Sequence, residues 1–203
     1  DSEKKFGGTS AEFDGTGDYL SIADSDDWNF GTGAFTVDVW VYGVWSGIGE
    51  NIVNHGASAG TADDVGWSLM VDHTRIDWGI NDGTNHYISA TGLSITDNTW
   101  HHVAVSRDSS CNLYIFHNGV LKSTTSSYTY SPDASIKDLK IGVSYNGDRY
   151  LSGYLEELRI SKGIARWTSN FTPPAKSYSS STPEGLYFKD ENGTVTPIIE
   201  ILP

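Results

Sequence analysis

The sequence predicts an all-β protein, a sandwich of two antiparallel sheets with an appended C-terminal β-hairpin. Three observations carry this prediction. Apolar residues recur at every second position in many short runs, glycine and Asp-Gly or Asn-Gly pairs punctuate those runs, and no stretch sustains a helical period. The 22 glycines and an aromatic share of 12% suit strands and turns better than helices.

The strongest stretch is 100–119, WHHVAVSRDSSCNLYIFHNG. Val103 and Val105, then Leu113 and Ile115, alternate on either side of the polar turn Asp108, Ser109, Ser110 and Asn112, which predicts a hairpin. Asn118-Gly119 predicts a second tight reversal into a strand that starts near Val120. N-terminal to this meander, 6–22 reads as two strands around a turn, and 23–33 as a loop. Residues 35–42, FTVDVWVY, alternate most clearly, with Phe35, Val37, Val39 and Val41 on one face and Thr36, Asp38, Trp40 and Tyr42 on the other. Further strands are expected at 51–54, 66–71, 75–80, 86–90 and 139–143. In 153–161, GYLEELRIS, strict alternation places Glu156 on the same face as Leu158 and Ile160, and Glu157 on the other. Residues 163–167 allow one helical turn at most.

The chain is long enough for one large β domain, assigned to residues 1–175. Residues 176–203 form a Ser-rich connector and a hairpin that must pack on the sandwich or on another chain, because an isolated hairpin is marginal in water. Leu186, Phe188, Ile198, Ile199, Ile201 and Leu202 give it apolar surface, and self-association through these residues is the favoured expectation. The net charge of −13 argues against nucleic acid or an anionic surface as partner, since either is met by clustered Lys and Arg. No apolar run reaches transmembrane length, so membrane insertion is not expected. Cys111 is the single cysteine, which excludes an intramolecular disulfide.

Catalytic patterns are missing. Retaining hydrolysis of a glycan needs two carboxylates facing one cleft; Glu12-Phe13-Asp14 runs on into Gly15, Thr16 and Gly17, and Glu156-Glu157 point to opposite faces, so neither supplies such a pair. His101 and His102 are adjacent and face opposite ways, no zinc spacing occurs, and no Gly-x-Ser-x-Gly is present. Sugar binding instead needs an aromatic platform with nearby amides and carboxylates. Two sets of residues could supply one. Asp38, Trp40 and Tyr42 share a strand face, while Trp45 on its glycine loop and Tyr145, Asn146, Asp148 and Tyr150 before the last strand could form a rim. Burial under a loop is the other reading for Trp40.

Five segments, FDGTGDYLSI at 13–22, FGTGAFTVDVWVY at 30–42, WHHVAVSR at 100–107, LYIFHNGVL at 113–121 and GYLEELRISKGIARWTSNFTPP at 153–174, occur in the order seen in one family. Together they resemble the laminin G-like group of the concanavalin A-like lectin/glucanase superfamily. The resemblance implies a jelly roll whose relatives include sugar-binding modules, adhesion domains, virion proteins and some glycan-cleaving enzymes. It also implies one structural calcium held by Asp14, Gly15 and Glu156, although Glu stands here where Asp is expected. A Glu156 paired to Arg or Lys at a sheet edge is the alternative. The function expected is a non-catalytic glycan-binding or adhesive module outside the cell, on a cell surface or on a virion. The alternative is a structural subunit assembled through its C-terminal strands, with a glycan-cleaving enzyme third.

Overall fold

The computed structural model of the chain describes residues 3–6, 8, 10–56, 65–131, 135–178 and, as backbone, 185–189 and 195–202. The strands are β1 (Ala11–Asp14), β2 (Leu20–Ile22), β3 (Phe35–Gly43), β4 (Glu50–His55), β5 (Gly66–Asp72), β6 (Arg75–Asn81) and β7 (Asn85–Thr91). They continue as β8 (His101–Arg107), β9 (Leu113–His117), β10 (Val120–Thr125), β11 (Leu139–Ile141), β12 (Ser152–Lys162), β13 (Gly185–Lys189) and β14 (Val195–Leu202). One sheet runs β10-β9-β8-β3-β12-β14-β13, with β1 also on β12, and the other runs β2-β11-β4-β5-β6-β7. Pairing is antiparallel except between β12 and β14, which run parallel. This is the two-sheet sandwich that the alternation predicts. Residues 163–167 take no helical turn, and among the described residues no helix is long and apolar enough to cross a membrane.

The core is what alternation delivers from each sheet. Val37, Val39, Val41, Val103, Val105, Leu113 and Ile115 come from one side, and Ile52, Trp67, Leu69, Val71, Ile76, Trp78 and Ile80 from the other. At one end Phe30 stacks on Phe35 and on Trp67, with centroids at 4.5 and 5.1 Å, and Trp67 stacks on Trp78 at 5.3 Å.

Strand β12 departs from strict alternation. Glu156 faces Trp40 and Arg159 faces Asp38, so Glu157 and Leu158 together oppose Val39. Glu157 takes φ +57°, and this bulge turns Leu155, Leu158 and Ile160 all into the core. Glu156 therefore lies on the outer face, and its expected place on the apolar face is corrected by the one inserted residue. The same bulge divides the free side of β12. Residues 152–155 pair with β1, while 158–161 pair with β14. The C-terminal hairpin thus extends its own chain's sheet. The side chains of Leu186, Phe188, Ile198, Ile199, Ile201 and Leu202 lie outside the described residues.

Candidate functional site

The outer face of the first sheet, expected to offer Asp38 and Trp40 to a ligand, is covered by both terminal segments. Arg159 grips Asp38 with two hydrogen bonds, Nε to Oδ1 at 2.9 Å and Nη2 to Oδ2 at 3.1 Å. His102 Nε2 donates to the same carboxylate at 3.3 Å, and the Tyr178 hydroxyl closes the cluster. Burial pushes the Asp38 carboxyl up, but His102 and the Arg159 guanidinium outweigh it and hold the group below the usual carboxylate range. Trp40 lies under the edge of Phe6, with Lys5 Nζ 4.0 Å from its ring centre. Asp38 and Trp40 are thereby buried interior groups, because segments 3–6 and 163–178 supply the partners that a ligand would have supplied.

Glu156 accepts the backbone N–H groups of Lys5 and Phe6 at 3.0 and 3.1 Å. Burial raises its carboxyl, and those two donors oppose the rise. Asp14 stands four residues along the β1–β12 ladder, opposite Ser152, and its Oδ1 accepts from Thr16 N at 2.6 Å. Asp14, Gly15 and Glu156 therefore do not converge. The carboxylates of Asp14 and Glu156 serve the chain's own backbone, and the three residues do not fit one calcium ion.

What the fold does assemble is a rim. Loop 44–49 folds back over the end of the sandwich, tied by Val44 N to Ser152 O at 3.0 Å, Trp45 N to Asp97 Oδ1 at 3.1 Å and Ser46 N to Glu50 Oε1. The Trp45 ring packs beside Gly43, 3.5 Å from where a Cβ there would stand. Trp45 is accordingly only 3% exposed, not displayed on an open loop. A cavity of about 370 Å³ opens here, lined by Gly15, Trp45, Ser46, Ile48, Glu50, Arg149, Tyr150 and Ser152 among others. A second, of about 200 Å³, is lined by Glu12, Asp14, Tyr42, Asn98 and Tyr154, and the two share Val44 and Ser152. Tyr42 packs there against Trp100 and Tyr154, whose hydroxyl donates to Glu12 at 2.9 Å.

Of the residues predicted from sequence, the rim brings together Asp14, Gly15, Tyr42, Trp45 and Tyr150. Tyr145 turns instead toward Lys137 and Lys140, each with its ammonium 5.2 Å from the ring centre. Asp148 accepts from the Ser144 hydroxyl and closes its own turn, and Asn146 is exposed in that turn. Those three stand apart from the cavity.

Glu50 and Arg149 were not legible as site residues. Glu50 is 3% exposed, and its Oε2 has no hydrogen-bond partner. Arg149, at φ +52°, donates to Ile48 O at 3.1 Å and reaches Met70 Sδ at 3.8 Å. Neither belongs to a short-range motif. The cavity thus offers aromatic walls, a guanidinium and serine hydroxyls, a set able to stack and hydrogen-bond a small polyhydroxylated molecule.

Solved structures share this fold. A putative carbohydrate binding protein from Bacteroides ovatus aligns over 93% of this chain and 57% of its own, with a TM-score of 0.58 and 17% identity. The CBM40 of Ruminococcus gnavus IT-sialidase, bound to α2,3-sialyllactose, aligns over 72% and 92%, with a TM-score of 0.56 and 10% identity. The LG4-5 domains of the mouse laminin α1 chain align over 74% and 40%, with a TM-score of 0.52 and 15% identity. Among curated proteins none matches the chain. A laminin G family model, described as the concanavalin A-like lectin/glucanases superfamily, matches residues 14–166. The chain is therefore a laminin G-like member of the concanavalin A-like lectin/glucanase superfamily.

Proposed function

We propose that this protein is a non-catalytic glycan-binding module whose ligand enters the rim cavity between loop 44–49 and residues 149–152. The observation that carries this reading is one cavity of about 370 Å³ that sets the Tyr150 ring beside the Arg149 guanidinium and the Ser46 and Ser152 side chains. Tyr150 supplies a ring to a sugar's C–H face, and Arg149 donates to a ring or hydroxyl oxygen. The carbohydrate-binding modules among the structures of this fold support the same class of ligand.

Catalysis fits less well. A general acid must be kept protonated near neutral pH, normally by an apolar pocket. Glu12 and Asp14, the two carboxylates of the smaller cavity, are solvent-exposed and hydrogen-bonded within the chain. Export to a cell surface or to the medium follows from the proposed ligand. An assembly role is less favoured, because the C-terminal strands pair within their own chain.

A glycan array followed by calorimetric titration tests this. Arg149→Ala should weaken binding of the array hits on the order of ten- to a hundredfold, as loss of one charged hydrogen bond predicts, without moving the thermal midpoint. Unchanged affinity in Arg149→Ala and in Tyr150→Ala would remove the cavity from the function.

A further inference from the structure

The rim cavity does not end at Val44 and Ser152. Both residues also line the smaller cavity of about 200 Å³, and they are joined by the hydrogen bond from Val44 N to Ser152 O at 3.0 Å. Val44 is 50% exposed and Ser152 is half-buried, so the two cavities meet at the surface.

Beyond that junction lies a cross-strand row. Glu12 on β1 is opposed to Tyr154 on β12, and Tyr154 to Tyr42 on β3. Alternation sends all three outward, because their neighbours Phe13, Leu155 and Val41 point into the core. This end of the face is accessible: Glu12 is exposed and Tyr42 and Tyr154 are half-buried, whereas Asp38 and Trp40, further along β3, are buried. Tyr42 and Tyr154 meet edge to face with centroids 5.8 Å apart, and Trp100 packs on Tyr42 at 5.5 Å. The Tyr154 hydroxyl donates to Glu12 Oε1 at 2.9 Å, and Glu12 Oε2 takes no partner among the described residues. Asn98 lines the same cavity, exposed, and is fixed there by its N–H to Gly43 O at 2.9 Å with φ +54°.

We infer that the smaller cavity is a second sugar subsite, so that the ligand is an oligosaccharide of at least two residues lying across Val44, its further sugar neutral, packed on the Tyr154 ring and donating a hydroxyl to Glu12. This rests on the glycan-binding reading of the larger cavity. Length follows from the shared junction. Each cavity has its own tyrosines, Tyr150 in the larger and Tyr42 and Tyr154 in the smaller, and together they fall in the range of roughly 300–1,000 Å³ that holds a whole small ligand. Neutrality follows from charge. Glu12 and Asp14 line the smaller cavity, both exposed, and no Lys or Arg lines it among the described residues, so a hydroxyl finds an acceptor there and a sugar carboxylate is repelled. The guanidinium of Arg149 belongs to the other end.

The test follows the backbone amides of the full chain by NMR while neutral gluco-, xylo-, manno- and arabino-oligosaccharides of one to four residues are titrated in. In a ladder that binds, the single sugar should shift Ser46 and Tyr150, and the longer members should shift Asn98 and Tyr154 as well, with affinity rising about tenfold. Tyr154→Ala should remove that gain and leave the single-sugar response as before. Asn98→Gly, which suits the positive φ, should act in the same direction, and the amide spectrum reports that each variant keeps its fold. Longer members that shift only Ser46 and Tyr150, a gain unaffected by Tyr154→Ala, or an equal gain for oligogalacturonates would each overturn the second subsite while leaving the larger cavity in place. Absence of any shift, with these ladders and with the array hits, would overturn both.

Discussion

Asp38 and Glu156 lie on the same covered sheet face, yet their environments act in opposite directions. Burial pushes the carboxyl of Asp38 up but His102 and Arg159 hold it down, whereas burial raises that of Glu156 despite the Lys5 and Phe6 backbone donors and the Lys5 and Lys4 charges. Removing one partner from a buried pair such as Asp38–Arg159 leaves an uncompensated charge, which is why such clusters are sensitive to single substitutions. His117, on the inward side of the same sheet in register with Val103, shows how the protein responds to acid. Its Nε2 donates to His101 Nδ1 at 3.0 Å, and His101 in turn donates through Nε2 to Thr96 O at 3.1 Å. Burial, and then the neighbouring His101 and Lys122 charges, lower His117 from 6.5 to about 4. Because the folded value lies below the unfolded one, the unfolded chain takes the proton first as pH falls. Stability should therefore drop between about pH 6.5 and 4, by on the order of 1–2 kcal/mol once solvent screening is allowed for. Urea titrations across that range should show the loss, and His117→Gln should flatten it. An unaltered slope in the variant would assign the acid sensitivity to other groups.

At the scale of elements, two backbone devices set the geometry that side-chain alternation cannot. One is the bulge at Glu157, which reverses the inside and outside assignment halfway along β12 and separates the partners of its free edge. The other is the β9–β10 turn, where Val120 faces His117 and Asn118 and Gly119 take φ +50° and +76°. Gly119 is also a seat for the C-terminal segment: Phe171 N donates to Gly119 O at 2.9 Å, and a Cβ there would lie 2.1 Å from Phe171 O. Gly119→Ala thus strains the turn and displaces Phe171, whose ring stacks on Trp167 at 3.9 Å. A loss of about 2 kcal/mol or more in unfolding free energy is expected, together with faster amide exchange at Phe171. Exchange at Phe171 that matched wild type would show that the segment is held elsewhere.

For the whole molecule, the terminal segments complete the outer face of one sheet, and the open concavity lies at the rim between loop 44–49 and residues 149–152. A chain ending at Tyr178 keeps the hydroxyl that closes the Asp38 cluster but exposes the β12 edge at 158–161. A chain ending at Ser177 loses both. Calorimetry should place the first variant closer to wild type in thermal midpoint, and light scattering should show it self-associating through the bare edge. Equal midpoints would mean that Tyr178 contributes nothing beyond the hairpin.

The sequence by itself determined the two-sheet sandwich, its strands, its aromatic core and the Asn118-Gly119 reversal, because period-two alternation and turn chemistry are local properties of the chain. It also marked Tyr42, Trp45 and Tyr150 as residues of a potential binding surface, though not that Trp45 would be a buried wall. Only the tertiary structure decided which of the outward-facing residues are covered. Asp38 and Trp40 alternate as a displayed face should, and they are buried because segments more than a hundred residues apart, 3–6 and 163–178, meet over them. In the same way Glu50 and Arg149 come from separated positions with no shared motif. Their proximity is created where the start of β4 meets residues 149–152, as in the hydrogen bond from Asn51 N to Arg149 O, and no local pattern encodes it.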